Sequence, residues 1–77
     1  MFVLPPTNEH PEYFQQIAET TWATAEQSQS DVCEELKKGN RTLVIQCKLD
    51  NNPKGLSIIL HYRYYKSRLY CFIEEKD

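Results

Sequence analysis

The chain has 77 residues, of which 40 % are hydrophobic and 26 % charged, and its formal net charge is −2. A chain of this length has room for one hydrophobic core, so we expect a single domain over residues 1–77. With only two glycines, the composition is typical of globular proteins and not of disordered ones. No stretch approaches the roughly 18 consecutive apolar residues of a membrane span, and the apolar start is too short for a signal peptide. We therefore expect a soluble, cytoplasmic protein without a membrane partner.

The charge is distributed unevenly along the chain. Residues 1–36 contain seven acidic residues and no lysine or arginine, whereas residues 37–77 contain nine basic and four acidic residues. The two parts therefore carry formal charges of −7 and +5. Such a separation affects how a protein associates with charged molecules more than which fold it adopts.

Residues 1–6 are predicted to form an apolar arm or a short extra strand, because Pro5 and Pro6 separate the first four residues from the rest of the chain. A helix is then predicted over residues 11–38. Proline suits the first helical position, as at Pro11, and lysines followed by glycine, as before Gly39, are typical of a helix end. Apolar residues recur at helical spacing and form one stripe, which includes Phe14, Ile17, Trp22, Val32 and Leu36.

The predicted helix is longer than the predicted sheet on which it should pack. Residues 11–38 would extend about 42 Å at 1.5 Å per residue. The predicted strands would reach only about 30 Å. The apolar stripe also has a gap at residues 28–30. We therefore expect a kink or break there, and then a second helix start with Asp31 and Glu34 as a pair of capping residues.

Three strands are predicted from alternating apolar and polar residues, at 42–49, 56–65 and 68–74. Turn-forming residues fill positions 50–55, and Lys66-Ser67 leaves space only for a tight turn. The strands should therefore pair in chain order as an antiparallel meander. With the helix packed on one side, the predicted fold is a two-layer α+β domain.

The register of this meander can be deduced from the sequence. Closing the first hairpin places Cys47 opposite Ile58, and closing the second places Tyr62 opposite Cys71. Both hairpins then put their most apolar residues on the same face of the sheet. This agreement supports the register, because a shift of one residue would turn a strand over. The helix is expected to cover that apolar face.

The opposite face of the sheet is the candidate functional surface. A second face exposed to water is normally polar in antiparallel sheets. Here it combines apolar and aromatic residues with arginines, a composition that is enriched at protein–protein hot spots. The predicted partner-binding residues are Val44, Ile59, His61, Arg63, Tyr65, Arg68, Tyr70 and Phe72.

Three functions are compatible with such a face. The protein could bind a partner protein, for example as an inhibitor, adaptor or regulatory subunit. Alternatively, the N-terminal arm at residues 1–4 could cover the face, or a second subunit could cover it in a homodimer, since small domains often self-associate to complete a core. The protein could also bind single-stranded nucleic acid by stacking bases on Tyr70 and Phe72. Nucleic acid is the least favoured partner, because the chain is acidic overall and lacks the consensus of known RNA-binding modules.

The sequence contains no recognisable catalytic or cofactor-binding motif. Its three cysteines are widely spaced and form no C-x-x-C pair, so we expect reduced thiols in apolar surroundings and neither a disulfide framework nor a metal site. His61 should lie between Val44 and Phe72, with no carboxylate to orient it as a base. We therefore predict a non-enzymatic protein that binds no metal or cofactor.

Overall fold

The computed structural model describes residues 2–3, 12–49 and 55–76. The predicted helix start at Pro11, residues 4–6 of the predicted arm, and all but the last residue of the predicted turn at 50–55 lie outside the described residues. The described residues form two helices and four strands. In chain order these are β1 (Phe2–Val3), α1 (Glu12–Gln27), α2 (Asp31–Lys37), β2 (Leu43–Lys48), β3 (Ser57–Tyr65) and β4 (Arg68–Lys76).

The predicted break in the helix is confirmed. After α1, Gln29 adopts a left-handed backbone conformation with a φ of 52°. The hydroxyl of Ser30 then accepts a hydrogen bond of 3.1 Å from the backbone N–H of Val32. Ser30 is therefore the N-cap of α2, whereas the sequence predicts capping by Asp31 and Glu34. Those two carboxylates lie in the first turn of α2, where they stabilise the positive end of the helix dipole.

Gly39 ends α2, as predicted from the sequence. Its φ is 78°, a conformation that glycine adopts without strain. The N–H of Gly39 donates to the carbonyl of Leu36 at 2.9 Å, and the N–H of Asn40 donates to the carbonyl of Glu35 at 3.1 Å. This pair of bonds is the Schellman arrangement that satisfies the last carbonyls of a helix. The chain then turns directly into β2.

The sheet has the strand order β1-β4-β3-β2. β2, β3 and β4 form the predicted antiparallel meander in the predicted register, with Cys47 opposite Ile58 and Tyr62 opposite Cys71. β1 adds two residues in parallel to the outer side of β4, with Phe2 opposite Leu69. β1 therefore lies at an edge of the sheet, in its plane.

Both helices cover one face of the sheet and form the core with it. The hydroxyl of Tyr62 donates a hydrogen bond to the carbonyl of Ala18, and the Trp22 ring lies 5.4 Å from the Tyr62 ring and 5.9 Å from the Tyr64 ring, centroid to centroid. The predicted stripe did not include Ala18 or Cys33, although both are buried. The buried apolar residues are Phe14, Ala18, Trp22, Cys33, Leu36, Ile58, Leu60, Tyr62, Leu69, Cys71 and Ile73.

Candidate functional site

The face of the sheet away from the helices carries all eight predicted partner-binding residues. Side chains alternate between the two faces of a strand, and these eight alternate with the buried set in the observed register. We call the surface that they form the open face. It consists of Val44 on β2, Ile59, His61, Arg63 and Tyr65 on β3, and Arg68, Tyr70 and Phe72 on β4.

A row of three side chains on neighbouring strands forms the centre of the open face. His61 lies opposite Val44 on β2 and opposite Phe72 on β4. Val44 is 54 % exposed and Phe72 is 48 % exposed. The rings of His61 and Phe72 are 5.7 Å apart, centroid to centroid, and are tilted by 58°. The middle of the sheet therefore presents apolar and aromatic surface to solvent.

Packing around His61 leaves one of its ring nitrogens without a partner. Its Nε2 atom is buried and forms no hydrogen bond within the described part of the chain. A buried polar atom in this situation destabilises a protein by about 1–3 kcal/mol. Among the same residues, no carboxylate forms an ion pair with His61. The described surroundings of His61 therefore provide packing contacts and no acid–base pair.

The turn between β3 and β4 places a lysine at the end of the open face. Lys66 and Ser67 have φ values of 52° and 63°, and Tyr65 pairs with Arg68 across them. Two successive positive φ values define the type I′ turn, which suits the twist of a hairpin. The Nζ atom of Lys66 lies 5.4 Å from the centroid of the Tyr65 ring, a cation–π distance.

A shallow depression lies beside this turn, with a volume of about 310 Å³. Its described lining residues are Arg63, Tyr65 and Tyr70. Arg63 and Tyr70 are paired across β3 and β4, so the two strands position them side by side. We call the group of Arg63, Tyr65, Lys66, Arg68 and Tyr70 the hairpin end of the open face.

The charges on this side of the sheet are segregated. The hairpin end has three cations, Arg63, Lys66 and Arg68, and no acidic residue. Beyond the open face, the other end of the same side of the sheet carries Lys48, Glu74 and Lys76, whose charges partly cancel. The hairpin end is therefore the more strongly positive part of the face.

The described ion pairs do not involve the hairpin end. Within residues 12–49 and 55–76, the ion pairs join Lys37 to Glu26 at 3.2 Å and Lys38 to Glu35 at 3.9 Å. Both pairs lie in or next to the helices. The hydrogen bond that Lys37 donates to the Glu26 carboxylate is the main reason that the pKa of Lys37 is raised. Arg63, Lys66 and Arg68 thus have no carboxylate partner within those residues.

Gln46 and Ser57 form a hydrogen bond between the side chains of β2 and β3, near the connection at residues 50–54. The Nε2 atom of Gln46 donates to the hydroxyl of Ser57 at 3.3 Å, and Ser57 is buried although its position belongs to the side of the open face. Gln46 is exposed and lies next to Val44 on that side of β2. The predicted partner-binding residues did not include Gln46 or Lys66, although Lys66 was a predicted phosphate contact in the nucleic-acid alternative. For Gln46, the sequence indicated a place on this side only through the alternation of β2. For Lys66, it indicated only a position in the turn.

The three cysteines are free thiols in the helix-facing half of the molecule. Burial raises the pKa of Cys71 to about 12, and burial is also the main reason that the pKa of Cys33 is raised. Cys47 is half-buried, and its sulfur lies 3.9 Å from the hydroxyl of Thr21. Because thiolates and not thiols are nucleophilic, the surroundings of Cys33 and Cys71 suppress their reactivity.

Two other features are absent from the described residues. These residues contain no group of three or more histidine, cysteine or acidic side chains arranged to hold a metal ion. None of their helices is long and apolar enough to cross a membrane.

Comparison with protein-family models, with curated proteins and with solved structures found no match to this chain.

Proposed function

We propose that this protein is a non-enzymatic interaction module that binds a partner protein through the open face. The row Val44–His61–Phe72 is the observation that carries the proposal. Val44 and Phe72 expose apolar and aromatic groups there, on either side of the half-buried His61, at positions where antiparallel sheets normally carry polar side chains. Such contiguous patches on small proteins mark interaction sites.

The composition of the open face supports the same function. Tyrosine, phenylalanine and arginine are enriched among residues that dominate binding energy, and the face has five of these. Tyr65 is 54 % exposed, and Ile59 and Tyr70 are half-buried. Rigid strands hold these groups, so little conformational entropy is lost when a partner docks.

A comparison of affinity baits tests this function. The wild-type chain, a Tyr70→Ala/Phe72→Ala variant and a Tyr13→Ala variant would each be immobilised, and bound proteins identified by mass spectrometry. Tyr13 is a matched control, because it is 54 % exposed but lies on α1. We expect a partner that binds the wild type and the Tyr13 variant, and that binds the double variant at least tenfold more weakly once it is purified.

Binding that survives the double substitution would contradict the use of the open face. Equilibrium unfolding in urea checks that both variants are folded. Light scattering over a range of concentrations distinguishes the alternative, homodimerisation. A wild-type dimer that dissociates on substitution of Tyr70 and Phe72 would show that the face serves self-association instead.

A further inference from the structure

We infer that the partner presents an acidic segment, with one apolar or aromatic anchor residue, to the hairpin end of the open face. This inference rests on the proposed function and specifies the chemistry of its partner. The anchor would enter the depression between Arg63, Tyr65 and Tyr70, while flanking carboxylates would meet the three cations around it.

The cations of the hairpin end are available for such carboxylates. Arg63 and Arg68 are exposed, and neither they nor Lys66 form an ion pair within the part of the chain that the structure describes. Arginine binds a carboxylate through two parallel hydrogen bonds, which provides direction as well as charge attraction. Lys66 already lies over the Tyr65 ring, which restricts where its ammonium group can be.

The depression suits a side chain better than an enclosed small molecule. Its volume of about 310 Å³ lies at the lower limit of ligand pockets, which span roughly 300–1,000 Å³. It is also shallow, and two of its three described lining residues are tyrosines. Tyrosine rings provide an apolar wall with a polar edge, so they can pack on an anchor and still contact water.

A second copy of this chain that packs its own open face on this one fits less well than an acidic partner. Two sheets that pack face to face align their strands within about 30°. The hairpin end, with three cations, would then meet either another hairpin end or the end with Lys48, Glu74 and Lys76. Both ends are net positive among the described residues, so like charges would oppose each other.

Three labelled synthetic peptides test the inference. Each has a central tryptophan, flanked on both sides by glutamates, by glutamines or by lysines. We expect the glutamate peptide to bind at least tenfold more tightly than the glutamine peptide by fluorescence anisotropy at low salt, and the lysine peptide to bind most weakly. Because exposed charges are screened by salt, the preference for glutamate should shrink as salt is added.

Two double variants with the same loss of charge locate the binding. Arg63→Gln/Arg68→Gln removes two cations from the hairpin end, and Lys48→Gln/Lys76→Gln removes two from the other end of the same sheet side. We expect the first to abolish the preference for glutamate and the second to preserve most of it. In amide NMR spectra of the wild-type protein, the glutamate peptide should shift residues 63–70 more than residues 44–48.

Each contrary result has a distinct meaning. Equal binding of the glutamate and glutamine peptides, or no binding of either, would overturn the acidic partner. If that equal binding were also lost on Phe72→Ala, the open face would remain the binding surface and only its acidic preference would fail. If a purified partner bound independently of Tyr70 and Phe72, the proposed function itself would fail. Tight, salt-sensitive binding of mixed-sequence single-stranded DNA, stronger than that of the glutamate peptide, would overturn the inference in favour of nucleic acid.

Discussion

The hydroxyl of Tyr62 donates a hydrogen bond to the backbone carbonyl of Ala18, which lies 44 positions earlier in the chain. Both residues are fully buried, and this bond joins the middle of α1 to β3, one of the two inner strands of the sheet. At this contact the helix contributes only the methyl side chain of Ala18 to the core. The side of β3 that carries Tyr62 is therefore the side that the helices cover.

Replacement of Tyr62 by phenylalanine should destabilise the protein. The substitution keeps the ring beside Trp22 but removes the donor to Ala18. We expect the free energy of unfolding to fall by about 0.5–1.5 kcal/mol, the usual net contribution of an intramolecular hydrogen bond. Tyr64→Phe is the matched control, because Tyr64 also packs on Trp22 but is only half-buried. Urea unfolding measures both; an equal loss for both variants would contradict a specific role for the Tyr62 hydroxyl.

Alkaline pH should weaken the fold. Burial raises the pKa of Cys71 from 9.0 to about 12, and burial is the main reason that the pKa of Tyr62 is raised well above 10.0. Between the unfolded and folded pKa values, the folded protein holds protons that the unfolded chain releases. The contribution of Cys71 to the free energy of unfolding is therefore fully present below about pH 9 and is lost as pH rises towards 12.

The size of this pH effect can be measured by urea unfolding at successive pH values. Each group contributes a slope of up to about 1.4 kcal/mol per pH unit in its own interval. Tyr62→Phe removes the contribution of the phenol, so its stability should decline less steeply than that of the wild type above pH 10. A free energy of unfolding that stays constant up to pH 11 would show that neither group is as deeply buried as the structure indicates.

Thiol reagents should distinguish the three cysteines. Cys33 and Cys71 are buried and have raised pKa values, whereas Cys47 is half-buried on the edge strand β2. We expect one thiol, Cys47, to react with a disulfide reagent at neutral pH well before the other two, and all three to react at once in denaturant. Peptide mapping after partial labelling identifies the site. Early labelling of Cys71 would mean that the helices do not cover the sheet as described.

Relief of backbone strain in the β3–β4 turn should stabilise the fold. Ser67 has a φ of 63°, which costs a non-glycine residue roughly 1 kcal/mol. Ser67→Gly should therefore raise the free energy of unfolding by about 0.5–1 kcal/mol, reduced somewhat by the greater freedom of glycine in the unfolded chain. Because the substitution leaves Arg63 and Arg68 in place, binding at the hairpin end should be unchanged. A destabilised variant would argue against the type I′ turn.

Threonine substitutions at two adjacent positions of β4 test which side chain lies on the helix-covered face and which lies on the open face. Ile73 is 4 % exposed and Phe72 is 48 % exposed. Ile73→Thr places a hydroxyl in the core and should lower the free energy of unfolding by about 2–4 kcal/mol. Phe72→Thr puts a good strand former on the open face and should change it by less than about 1 kcal/mol. Similar losses at both positions would contradict the assignment of the faces.

The register of the sheet was predictable because two independent hairpins had to agree. Leu60 is opposite both Ile45 and Ile73, so the alternation of β3 is tested twice by its neighbours. The helix break was predictable for a different reason, since one long helix would extend beyond the strands. The composition of the open face could be deduced from the register alone.

Other features depend on contacts between distant residues that leave no local pattern. Nothing in Phe2-Val3 specifies parallel pairing with β4, because a two-residue strand has no periodicity. Ala18 and Cys33 are small, so neither stands out in an apolar stripe, although the close approach of the helices to the sheet buries both. The depression and the grouping of cations at the hairpin end could not be predicted without the turn geometry at Lys66 and Ser67.

The pairing of Phe2-Val3 with β4 has a practical consequence for handling this protein. Backbone groups at the edge of a sheet can serve as a template for strands from other molecules, and such pairing leads to aggregation. β1 occupies the backbone of β4 at Leu69 and Tyr70, beside the depression. A truncation that removes Phe2 and Val3 would uncover that edge of β4. Precipitation of such a shortened protein would then reflect a missing edge strand and not a property of the binding surface.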